Sequence, residues 1–115
     1  MTVTIYHNPK CSKSRETLTL LQQQGLDLEI IEYLKNPPNS KTLDILLKKL
    51  NLTPRELMRR HEAPYGELSL DDVTLDRKYL IHAMVKNPIL IERPIVVANN
   101  QARLGRPPAN VLEIL

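Results

Sequence analysis

The single cysteine of this 115-residue chain, Cys11, lies where an apolar run, Val3-Thr4-Ile5-Tyr6, passes through the loop His7-Asn8-Pro9-Lys10 into a helix-like stretch. A sulfur at a helix start meets unpaired backbone N–H groups and the positive end of the helix dipole, and both favour S⁻ over SH. Lys10, Lys13 and Arg15 add cationic charge around it. The alternative is a buried, inert thiol. The polar and basic surroundings favour the reactive one.

Three arginines follow at a distance: Arg59 at the end of a central helical stretch, Arg93 before Pro94, and Arg106 before Pro107-Pro108. Guanidinium groups are planar forks that bind tetrahedral oxyanions in a bidentate way and stay charged at physiological pH. Taken singly, each is weak evidence, because an arginine at a helix end or in a turn is usually a solvated charge. Arg93 is less ordinary, because it opens an apolar strand and its neighbour Pro94 lacks an N–H, which marks a strand start or edge. If that edge faces the Cys11 loop, a cationic pocket forms. His7 either tunes the thiolate or serves as a hydrogen-bonding loop residue. Ser14 stands where a redox motif would put a second cysteine, and its hydroxyl can bond the thiolate or cap the helix. Lys10 and Arg15 raise the local potential, whereas Lys13 reads as a solvated charge. His61 and His82 are far apart and there is one cysteine, so no metal-site spacing is present and no metal is expected. The pair Asp71-Asp72 lacks a partner at mechanistic spacing and reads as solvated.

The elements that must position these residues begin with a strand over Val3 to Tyr6, a helix over Ser12 to Gln24 stopped by Gly25, and a strand over Leu28 to Tyr33. Strand, helix and strand in so short a span predict a βαβ unit with a parallel crossover, which aims Cys11 at the carboxyl edge of the sheet, where open α/β sheets bind ligands. From Asn36-Pro37-Pro38 to Pro88 the pattern is helical, with helices expected over Thr42 to Leu50, Pro54 to His61 and Asp76 to Val85. This segment, about residues 36–88, is read as an insertion within a single domain spanning 1–115. A strand returns at Ile95-Val96-Val97-Ala98, and Asn99-Asn100 with Ala102 to Leu104 predicts a hairpin, followed by a helix near Pro108 to Ile114. No repeat, low-complexity tract or Gly-rich phosphate loop is present.

Composition narrows the function classes. A formal charge of +3, four tyrosines and no Phe or Trp offer little for base stacking, so nucleic acid is not an expected partner. The apolar runs are too short to cross a bilayer. One cysteine excludes an intrachain disulfide, and no charged-then-apolar leader precedes Val3, so a reducing cytoplasm is the expected location. A monomer is expected.

The run Tyr6-His7-Asn8-Pro9-Lys10-Cys11-Ser12-Lys13-Ser14-Arg15, with Leu57-Met58-Arg59, Glu92-Arg93-Pro94-Ile95-Val96-Val97 and Arg103-Leu104-Gly105-Arg106-Pro107, closely resembles the glutaredoxin-coupled arsenate reductases, the ArsC family. The resemblance covers essentially the whole chain, and most closely a short branch without the C-terminal extension of longer members. It implies a thioredoxin-like fold, a mixed central sheet flanked by helices with a helical insertion, in which Pro94 is the cis-proline opposite the thiol. It also implies that Cys11 is the nucleophile, that Arg59, Arg93 and Arg106 bind the oxyanion, and that His7, Ser14, Arg15 and Pro94 support them. Arsenate is then the substrate, glutathione the reducing co-substrate and glutaredoxin the partner, with no bound cofactor. Two other classes share this pattern. Spx-like regulators bind RNA polymerase and carry a Cys-x-x-Cys switch, which Cys11-Ser12-Lys13-Ser14 cannot form; a glutathione-dependent thiol transferase would act without oxyanion preference.

Overall fold

Strand β1 (Thr2–His7) alternates Val3 and Ile5 into the interior, and both are fully buried. It pairs in parallel with β2 (Asp27–Glu32), in the register Val3 to Leu28 and Ile5 to Ile30. A parallel pair needs a crossover, and helix α1 (Ser12–Gln23) supplies it. On its other side β1 pairs antiparallel with β3 (Ile95–Ala98), which pairs antiparallel with β4 (Gln101–Leu104). The mixed sheet has the order β2-β1-β3-β4, the thioredoxin-like arrangement that the resemblance implies. The computed structural model describes residues 2–115 and resolves them into two compact units, residues 2–36 with Arg93–Leu115, and Pro37–Glu92.

In the sheet unit, Val3, Ile5, Leu21, Val96, Ala98, Val111 and Ile114 form one core cluster. Gly25, at φ +67°, takes the left-handed conformation that follows α1. Asn99 and Asn100 both have positive φ (52° and 61°), the geometry of a type I′ hairpin turn, which matches the twist of β3 and β4. The last helix forms over Pro108–Ile114, but as 3₁₀ rather than α. Its two buried residues, Val111 and Ile114, are three apart, which suits a turn of three residues against the core.

The second unit holds helices α2 (Ser40–Leu50), α3 (Pro54–Leu57), α4 (Ala63–Glu67) and α5 (Arg77–Lys86) and a 3₁₀ turn at Pro88–Leu90. Asn39 and Asp76 cap α2 and α5 by accepting from the Thr42 and Tyr79 N–H groups. The helix expected over Pro54 to His61 is corrected here. Thr53 and Glu56 form a capping box that starts α3, with Pro54 in the first turn, but the helix ends at Leu57. Met58 is extended and bridges Ile91, and the Arg59 N–H donates to the Leu90 carbonyl at 2.7 Å. Tertiary pairing of this backbone replaces the next helical turn, so Arg59 stands beyond a helix rather than at its end. Helix α4 was not anticipated from the pattern. Among the described residues, no helix is long and apolar enough to cross a membrane.

Candidate active site

Cys11 is the N-cap residue of α1, with extended backbone, and its carbonyl accepts the first helical bond from the Arg15 N–H at 3.0 Å. The preceding loop is closed by backbone: the Cys11 N–H donates to the Asn8 carbonyl, and the Lys10 N–H to Asn8 Oδ1, each at 3.0 Å. The Cys11 side chain makes no capping bond of ordinary geometry. Its sulfur nevertheless lies within the influence of the N–H groups just inside the helix. Partial burial works against ionisation, but the Ser14 N–H, a hydrogen bond and charge from Arg93, and the Lys13 N–H outweigh it. The thiol pKa is therefore below its ordinary value.

Two of the arginines converge on that sulfur. Arg93 bonds it from the start of the β3 segment, across a cis Arg93–Pro94 bond with Pro94 buried. Arg106 brings Nη1 to 3.9 Å from Cys11 Sγ and donates from the same nitrogen to the Arg93 carbonyl at 3.2 Å. The Arg106–Pro107 bond is also cis, which no sequence signal announced. Between the two prolines, the Gly105 N–H donates to the Pro94 carbonyl at 3.0 Å, and a Cβ on Gly105 would fall 2.4 Å from Thr17 Oγ1 and 2.8 Å from Pro94 Cγ. The absent side chain lets the Arg106 segment lie against α1 and the cis-proline together.

Beneath the thiol lies a buried polar set. His7 Nδ1 and Ser14 Oγ are 2.7 Å apart, and the Asn8 N–H donates to Ser14 Oγ at 3.0 Å. With its oxygen accepting from Asn8, the hydroxyl can donate to a neutral His7 that keeps its proton on Nε2. Burial lowers the His7 pKa, Arg15 adds to this, and Glu32 opposes it. The Ser14 hydroxyl thus takes neither of the two roles considered for it, binding the thiolate or capping the helix. It is fully buried and locks the loop, while the Ser14 backbone N–H serves the sulfur. Arg15 is exposed and donates to the Pro9 carbonyl at 3.0 Å, so it braces the loop besides adding charge. Lys13 pairs with Glu16 at 3.5 Å on the surface.

Arg59 belongs to the helical unit. Its guanidinium is mostly buried and held by Glu62 at 3.2 Å and Glu92 at 3.0 Å, with His61 Nε2 at 3.0 Å from Nη2. Burial disfavours the cation, but the two carboxylates more than offset this and raise its pKa. Sequence reasoning missed both acids. Glu92 adjoins Arg93-Pro94 and Glu62 is three residues from Arg59, so the signal existed in the pairing of opposite charges. Asp72, read as solvated, is tied into its own turn by the N–H and hydroxyl of Thr74.

The ArsC family model matches residues 6–114. An Escherichia coli (strain K12) protein, "Uncharacterized protein YfgD", is 57% identical over 114 residues, 98% of this chain and 96% of that protein. The arsenate reductase of Haemophilus influenzae is 45% identical over 116 residues, spanning 100% of both chains. The solved arsenate reductase of Vibrio cholerae superposes with a TM-score of 0.96 at 54% identity, covering 100% of this chain and 98% of that one. A match that runs through the Cys11 loop, the cis-proline and the Arg106 segment alike makes this chain a member of the ArsC family.

Proposed function

We propose that this chain is an arsenate reductase that uses Cys11 as its nucleophile and external thiols as reductant. The observation that carries the reading is the sulfur at the start of α1, with Arg93 and Arg106 on it and its pKa lowered by helix N–H groups and by Arg93. A thiolate and an anionic oxyanion repel one another. At about 4 Å and an effective dielectric near 20, each pair of unit charges costs roughly 4 kcal/mol. Two guanidinium groups at the sulfur reverse the sign of that encounter and offer planar donors to the oxygens. Cys11 then attacks arsenic(V), forming an S–As bond as hydroxide or water leaves. Arg59 is assigned to oxyanion binding on the resemblance alone.

Reduction needs two electrons that a one-cysteine chain cannot supply by closing its own disulfide. In this reading glutathione attacks the adduct and displaces a second oxygen. A glutaredoxin thiol takes the glutathione sulfur as a mixed disulfide while the arsenic is reduced, and water then cleaves the Cys11 S–As bond to release arsenite and the free thiol. Two thiols become one disulfide, arsenic(V) becomes arsenic(III), and a net one oxygen departs as water. The reading places the protein in the cytoplasm, where such thiols are kept reduced.

The test is arsenite formation by purified protein with arsenate, glutathione and glutaredoxin, with each omitted in turn. Full dependence on all three is expected. Turnover without glutathione and glutaredoxin would remove the thiol-coupled mechanism. Reduction of mixed disulfides that survives replacing Arg93 and Arg106, without arsenite formation, would identify a thiol transferase instead.

A further inference from the structure

A groove of about 550 Å³ runs along the outer face of α1, lined by Ser12, Arg15, Glu16, Thr19, Gln23 and Pro108, with Leu20 and Ala109 completing it. We propose that it is the docking site of the reducing thiol, a short peptide carrying both carboxylate and ammonium groups, as glutathione does. The proposal rests on the thiol-coupled reading above and assigns that reductant a place.

Position is the first argument. Ser12 follows Cys11, and Pro108 stands two residues after Arg106, whose guanidinium contacts the Cys11 sulfur. One end of the groove therefore lies at the start of α1, next in the chain to Cys11. Size is the second. From Ser12 to Gln23 the helix rises about 16 Å, and an extended tripeptide spans about 10 Å, so a peptide thiol fits along it with its sulfur at the Cys11 end. The volume lies within the usual range for small-molecule sites.

Chemistry is the third. The groove offers one cation and one anion a single residue apart, Arg15 and Glu16, both exposed. Arg15 spends one bond on the Pro9 carbonyl, which leaves donors of its five-donor fork for a carboxylate. Glu16 is engaged by Lys13 at 3.5 Å, with both side chains well exposed, a weak surface pair that an ammonium group can replace. Gln23 adds an amide at the far end, and Leu20 and Pro108 give the peptide backbone an apolar surface to cover. An oxyanion alone would leave Glu16 repulsive and most of the groove empty.

The probe is S-methylglutathione, which cannot attack. Titrated into isotope-labelled protein, it should shift the amide resonances of residues 12–23 and Ala109. Glu16→Lys should weaken that binding and raise KM for glutathione by about tenfold, with KM for arsenate and Tm unchanged. Thr19→Trp, which fills the groove without altering charge, should do the same. Shifts confined to other surfaces, or none, with arsenate reduction still dependent on glutathione, would overturn the groove and leave the thiol-coupled reading standing. Groove binding by S-methylglutathione in a protein that forms no arsenite would uphold the groove and remove the arsenate reading.

Discussion

The proposed chemistry concentrates on one sulfur whose ionisation is favoured by backbone N–H groups as well as by charge. Cys11→Ser should abolish arsenite formation and leave the fold intact, which circular dichroism and turnover measured together will check. Alkylation by a neutral reagent should follow a titration with its midpoint below about 8.5, the value for an unperturbed thiol, because the Ser14 and Lys13 N–H groups and Arg93 outweigh burial. A midpoint at or above that value would contradict the assignment. His7→Ala removes the acceptor for the buried Ser14 O–H, although its oxygen keeps the bond from the Asn8 N–H, so a loss of about 1–3 kcal/mol is expected in denaturant unfolding. Most of this site was legible in the sequence, since a cysteine at a strand-to-helix junction announces its own environment. The inward turn of Ser14 was not legible, because that depends on which face of α1 meets His7 at the end of β1.

At the scale of elements, the placement of Arg106 depends on how closely its segment approaches α1 and the cis-proline. Gly105→Ala should push a methyl into Thr17 and Pro94, destabilise the protein by about 1–3 kcal/mol and raise KM for arsenate by displacing Arg106. Thr17→Ala in the same chain, by removing two of the three close atoms, should restore part of the stability. The strands and hairpin were readable because alternation in Val3-Thr4-Ile5 and the pair Asn99-Asn100 are local signals. Helix α3 was misjudged in length for a nonlocal reason. The Met58 and Arg59 backbone pairs with Leu90 and Ile91, some thirty residues away, and no periodicity in residues 54–61 reports that.

For the whole molecule, the resolved proton equilibria lean in one direction. The thiol of Cys11, the imidazole of His7 and the carboxyl groups of Asp44, Glu56 and Asp72 all have lowered pKa values, so the folded state binds fewer protons than the unfolded one as each titrates. Stability therefore rises with pH through the carboxylate range, again near 6.5 and again up to about 8.5. Tyr6, raised by burial and by Glu29, has the opposite sign and erodes stability above about 10. Thermal unfolding should accordingly give its highest Tm at mildly alkaline pH; a maximum near pH 6 would refute this balance. The bond from Arg106 to the Arg93 carbonyl carries a practical lesson for anyone redesigning the enzyme toward a different anion. The Arg106 guanidinium leans on the main chain from which the Arg93 side chain departs, so a change that shifts this backbone moves both arms at once, and libraries should hold it fixed while the side chains vary.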